Sequence, residues 1–170
     1  MRKVARYAAA GLLLAGGALK SRAADRLVPP PDDAPLLLEL AADGVQIYAC
    51  ETKDGRADWA FKGPEAMLFD RDGRQVGTHF GGPTWKLDDG SAVVGEVVSR
   101  ADAPEVGAIP WLLLRAKSHE GSGALSRVAY IRRAETKGGA APKTGCDASH
   151  ASAPERMRYS AIYQFFAAGK

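Results

Sequence analysis

Asparagine is absent from this sequence of 170 residues, so it holds no acceptor for N-glycosylation. Cysteine is scarce at 2 and histidine at 3, and no Cys-x-x-Cys occurs, which excludes a disulfide-dense mini-protein and a zinc-ribbon pattern. The histidines, His79, His119 and His150, never fall at the i, i+2 or i, i+4 spacing of a ready-made metal site. No Gly-x-Ser-x-Gly elbow and no Walker loop is present. The composition, 46% hydrophobic and 25% charged, excludes collagen, coiled coil and a wholly disordered chain, and the length suits one domain with a real core.

What is present begins with a targeting pattern. Arg2, Lys3 and Arg6 precede an apolar stretch from Ala8 to Leu19, and Ser21-Arg22-Ala23 offers small residues at the −3 and −1 positions of a cleavage site. The pattern predicts a signal peptide over residues 1–23, cut after Ala23 or Ala24. The stretch is too short to span a bilayer, and Lys20 and Arg22 close it. No paired-Arg signal and no cysteine for lipidation accompany it.

Cleavage changes the electrostatics. Residues 1–23 carry five bases and no acid, so the 23 bases fall to 18 against 20 acids, a net charge of about −2. A mature chain of that charge has no basic surface with which to displace phosphate counterions, which argues against nucleic-acid binding. No later segment reaches membrane-spanning length. The expected product is soluble and exported, periplasmic or extracellular.

In an oxidising compartment an isolated pair of cysteines defaults to a disulfide, so Cys50 and Cys146 are expected to bond. Closing so long a loop stabilises the fold by about 4 kcal/mol in the chain-entropy picture.

Residues 24–35, with Pro29-Pro30-Pro31, read as an extended lead-in, and residues 36–168 as one all-β domain. Short runs with period-two alternation are broken at Asp43-Gly44, Asp54-Gly55, Asp72-Gly73 and Asp89-Gly90. Asp-Gly supplies the positive φ values of tight hairpin turns. The strands expected between these turns run from Leu36 to Leu40, Val45 to Cys50, Trp59 to Phe61, Ala66 to Phe69, Val76 to Phe80, Thr84 to Leu87 and Ala92 to Val98. Trp111 to Ala116 is expected to pair with Ser126 to Ile131, and Met157 to Phe166 to alternate Tyr159, Ala161, Tyr163 and Phe165 on one side. Helical spacing of Tyr159, Ile162, Tyr163 and Phe166 offers a helix there instead, but aromatic enrichment favours strand. The fold class is an antiparallel β-sandwich or barrel of short strands joined by Asp-Gly hairpins.

The segment richest in chemistry is His79-Phe80-Gly81-Gly82-Pro83-Thr84-Trp85, followed by Asp88-Asp89-Gly90-Ser91. An imidazole beside a double glycine suits a general base next to backbone that a substrate can approach. The plain alternative is a strand end, a glycine turn and a buried Trp. If Val76, Thr78 and Phe80 face the core, His79 lies on the solvated side with Gln75 and Gly77. Asp88 and Asp89 read as turn residues, His119-Glu120 as part of a hairpin loop, and Trp85, Trp111 and Tyr48 as core aromatics that are also the candidates for lining a binding pocket. Gly121-Ser122-Gly123 mimics the start of a dinucleotide fingerprint, but Ser126 stands where its last glycine belongs and strand rather than helix follows.

In order along the chain, Gly44-Val45-Gln46-Ile47-Tyr48-Ala49-Cys50, the His79 to Trp85 segment with Asp89-Gly90-Ser91, Ile109-Pro110-Trp111-Leu112-Leu113-Leu114, Gly138-Gly139 with Gly145-Cys146-Asp147, and Tyr159 to Phe165 resemble the family known as domain of unknown function 3455, found in exported bacterial and fungal proteins. The resemblance covers about Pro35 to Phe166. It implies export and transfers no catalytic residue, because the family has no established activity. The malate dehydrogenase label of some relatives finds no support here, since the fingerprint and the alternating βα pattern are both missing.

The expectation is a non-enzymatic binding or envelope-associated module, partnered by a small molecule or an envelope component, with no cofactor and no metal called for. The alternative is a small hydrolase-like or metal-assisted enzyme centred on His79 with Asp88 or Asp89. Oligomeric state is left open.

Overall fold

A computed structural model describes residues 27–147 and 154–169. The targeting segment 1–23, its cut at Ala23 or Ala24, and His150 lie outside the described residues. The strands are β1 (Leu36–Lys53), β2 (Arg56–Phe69), β3 (Gln75–Phe80), β4 (Thr84–Leu87), β5 (Ala92–Ala101), β6 (Trp111–Glu120), β7 (Tyr130–Gly138) and β8 (Pro154–Phe166). All neighbours are antiparallel, and β8 returns to pair with β1, so the sheet closes into an up-and-down barrel with no free edge. The final aromatic segment is strand, as its composition favoured.

Asp54-Gly55 forms the β1–β2 hairpin with φ of 52° and 76°, the pair of positive values that a two-residue turn of this hand requires. Asp72-Gly73 and Asp89-Gly90 turn β2 into β3 and β4 into β5 within longer loops, in which only the glycine takes a positive φ, 77° and 84°. Asp43-Gly44 is a correction, because β1 runs straight through it. Gly44 is needed for closeness instead of for a turn. A Cβ there would sit 2.1 Å from the Glu65 carbonyl oxygen and 2.5 Å from the Ala66 Cα, so only glycine lets β1 and β2 approach at that register.

β2 joins two runs that read as separate strands, passing through a bulge where the register shifts opposite Ile47 and Tyr48. His119 and Glu120 end β6 and are not in the loop after it.

The face assigned to β3 is also corrected. Gly77 and His79 point inward, while Thr78 and Phe80 are exposed. Residues directly opposite on neighbouring strands share a side of the sheet. His79 pairs with Trp85 and Gly77 with Leu87, so burying the β4 apolar pair takes His79 inside.

Antiparallel order puts the β2–β3, β4–β5 and β6–β7 connections at one end of the barrel and the others at the opposite end. The first end is plugged. Leu125 and Val128 from the β6–β7 connection enter the main core with Val93, Leu114, Ile131 and Phe165. Asp89 stitches the plug in place, its Oδ2 accepting from the Ala124 N–H at 2.8 Å and its Oδ1 from the Ser91 N–H and hydroxyl at 2.8 and 2.6 Å.

A second apolar cluster lies outside the ring, where Val28 of the lead-in packs with Trp111, Leu113 and Ala134. The lead-in thus covers the outer face of β6, which explains why that strand is apolar on both sides. Burying Val28 contributes roughly 1.5 kcal/mol or more.

Candidate functional site

The unplugged end holds a cavity of about 610 Å³ lined by side chains from all eight strands. β1 contributes Gln46 and Tyr48, β4 Trp85, β7 Arg133 and β8 Tyr163, while Phe61 of β2 and Val97 and Arg100 of β5 stand at its rim. Inward positions recur at every second residue, so Gln46 and Tyr48 follow Leu40 and Ala42 onto the lumen side of β1. The connection carrying Gly138-Gly139 is tied over this end. Tyr48 donates its hydroxyl to the Gly139 carbonyl at 2.7 Å. Gly139, at φ 82°, packs so closely that a Cβ would lie 2.7 Å from the Tyr159 Cβ. The Cys50–Cys146 disulfide is formed, and Trp59 donates its indole N–H to the Thr144 carbonyl at 3.1 Å beside it.

At the base of the cavity His79 stacks on Trp85 with ring centroids 4.4 Å apart, and the Tyr163 ring meets both edge-on. His79 Nδ1 lies 2.8 Å from the Thr84 carbonyl oxygen, which can only accept, so Nδ1 carries the proton and Nε2 the lone pair. Burial, with the Arg133 charge adding to it, pushes the His79 pKa down to about 3 against the opposing pull of the Thr84 bond. The imidazole is therefore neutral near pH 7 and too weak a base for proton abstraction there. Burial raises the Tyr159 and Tyr163 hydroxyls above the usual phenol range, partly offset by Arg133, and Tyr48 is raised by the same cause.

Arg133 is the charge these groups share. Its Nε and Nη2 donate to the Pro110 carbonyl at 3.0 and 2.8 Å, and its charge acts on the Tyr163 hydroxyl beside it. Two donors on lining residues have no partner: the Gln46 side-chain nitrogen, which leans toward Tyr159 without reaching hydrogen-bonding geometry, and the Trp85 indole nitrogen. Gln46 and Trp85 are only 2% and 1% exposed.

The structure brings His79, Trp85 and Tyr48 to one cavity and leaves the other candidates elsewhere. Asp88 and Asp89 flank the β4–β5 turn at the plugged end, whereas His79 bonds to Thr84 at the far end of β4. Trp111 faces outward into the Val28 cluster. Among the described residues no three His, Cys, Asp or Glu side chains converge as metal ligands.

No chemical motif in the sequence marks Arg133 or Gln46 as a site residue. The Arg132-Arg133 pair interrupts apolar alternation and ends the apparent strand at Ile131, although extending period two from Ile131 would have put Arg133 on the inward face.

A family model described as Protein of unknown function (DUF3455) matches residues 30–167. Among curated proteins and solved structures, none matches the chain.

Proposed function

This chain belongs to the DUF3455 family, whose description assigns no activity, and from its geometry we propose that it is an exported, non-enzymatic binding protein that holds a small molecule in the lumen of its barrel. The observation that carries this reading is the cavity to which every strand contributes. Its volume lies in the range of sites for small organic ligands, and an eight-stranded barrel is wide enough to hold one. The segments that carry the family resemblance support the same reading, because they send residues into this lining: Gln46 and Tyr48, His79 and Trp85, Ile109, Leu112 and Leu114, and Tyr163. The lumen supplies apolar walls and hydrogen-bond donors but no base matched to neutral pH, which favours holding a molecule over transforming it.

Export is supported by the bonded cysteines, since such a pair persists in oxidising compartments. No helix among the described residues is long and apolar enough to cross a membrane.

The test uses 1-anilinonaphthalene-8-sulfonate as a fluorescent probe. Val97 stands half-exposed at the rim, so V97W narrows the mouth without disturbing the core. Binding to the wild type that is lost in V97W agrees with the proposal. Equal binding by both proteins, or a probe bound only outside the ring, contradicts it.

A further inference from the structure

We propose that the lumen takes an apolar or aromatic molecule ending in a single carboxylate, with that carboxylate held at Arg133. The proposal rests on the reading of the lumen as a small-molecule site and adds the chemistry of its occupant. The lining includes Lys62, Arg100 and Arg133 and neither Asp nor Glu. Lys62 is paired with Glu51, and Arg100 is an exposed rim residue. Arg133 alone reaches the interior, where it donates to the neutral Pro110 carbonyl and lies beside the neutral Tyr163 hydroxyl, and no carboxylate among the described residues pairs with it. A guanidinium has five N–H donors in a planar fork, and those left over match a carboxylate in two-point geometry. Arg133 is partly buried and faces the lumen without a counter-charge, so an incoming anion is favoured there over a neutral group.

The unpartnered donors point the same way. The Gln46 amide and Trp85 indole nitrogens are buried within the lining and call for an acceptor. Only one interior cation is available, which selects a monoanion over a phosphate ester or a dicarboxylate. The remaining wall, Phe61, Pro64, Val97, Ile109, Leu112 and Leu114, is apolar and receives the body of the molecule.

Calorimetric titration of the full protein with 2-naphthoate and its neutral counterpart 2-naphthamide, and with dodecanoate and dodecan-1-ol, tests this. At least one carboxylate is expected to bind about tenfold or more tighter than its neutral counterpart, the increment of a charge-assisted hydrogen bond. R133Q is expected to erase that preference, so that the carboxylate binds no tighter than its neutral counterpart to the same variant. The wild-type comparison stands alone if R133Q fails to fold. Equal binding of charged and neutral compounds overturns the carboxylate assignment and leaves the lumen reading standing. Failure of all four compounds to bind, together with loss of the V97W effect on the fluorescent probe, overturns both.

Discussion

The His79 imidazole lies almost parallel to the Trp85 indole, the two planes inclined by 12° across a directly paired position of β3 and β4. The stack encloses the imidazole on the lumen side, where His79 is 2% exposed. A residue that reads as a solvated base is thereby a neutral part of the cavity floor, with its Nδ1 proton spent on Thr84.

This burial makes stability depend on pH in a defined window. The folded protein keeps His79 neutral down to about 3, whereas the unfolded chain takes up a proton near the ordinary value of 6.5. Unfolding therefore binds a proton between those values, and acid favours the unfolded state. The His79 contribution is complete above about 6.5 and declines as pH falls toward 3. Urea denaturation should show a loss of about 3 kcal/mol between pH 7 and pH 4.5. Asp70 and Asp89, whose pKa values are lowered by hydrogen bonds from Arg74 and from Ala124 respectively, act mainly below that interval. H79F should flatten the profile over the same range, whatever its absolute stability. An unchanged slope in H79F would remove His79 as the cause.

Two glycines that each follow an aspartate should respond differently to alanine. G44A forces a Cβ into the backbone of β2 and is expected to cost about 3 kcal/mol or prevent folding. G55A meets no atom within 4 Å and bears only its positive φ, costing about 1 kcal/mol. Thermal unfolding of the two variants checks the order.

Without reductant, neither Cys50 nor Cys146 should react with an alkylating agent, and mass spectrometry reads this directly. Replacing both by alanine should lower stability by up to about 4 kcal/mol and loosen the connection held over the cavity end.

D89A should act at the plugged end alone. It removes the acceptors of Ala124 and Ser91 and should cost about 1 kcal/mol or more. Affinity for the fluorescent probe should stay within about twofold of wild type, because the cavity lies at the opposite end of the barrel. A large loss of affinity would join Asp89 to the site after all.

Much of the fold was legible because hairpin chemistry is local. Asp54-Gly55, Asp72-Gly73 and Asp89-Gly90 turn the chain through their own backbone preferences. Asp43-Gly44 carries the same letters but obeys a neighbouring strand, and nothing within the dipeptide reveals the approach of Ala66. The inward turn of His79 was hidden for a related reason, since its side is set by the burial of Trp85 across the ladder and not by alternation within β3 alone. The cavity was the least legible feature. Its polar members, Gln46 and Arg133, come from strands far apart in the chain and meet only through closure of the ring. The aromatic residues were named as one group, yet the fold divides them, taking Trp85 into the lumen and Trp111 to the outer face under Val28.

The central claim is most directly tested by a crystal structure of the full protein grown with 2-naphthoate. The account predicts the naphthalene ring inside the barrel among Phe61, Val97 and Leu112, with its carboxylate on Arg133. A naphthoate bound only outside the ring, with the lumen side chains unmoved and Arg133 uncontacted, would contradict it.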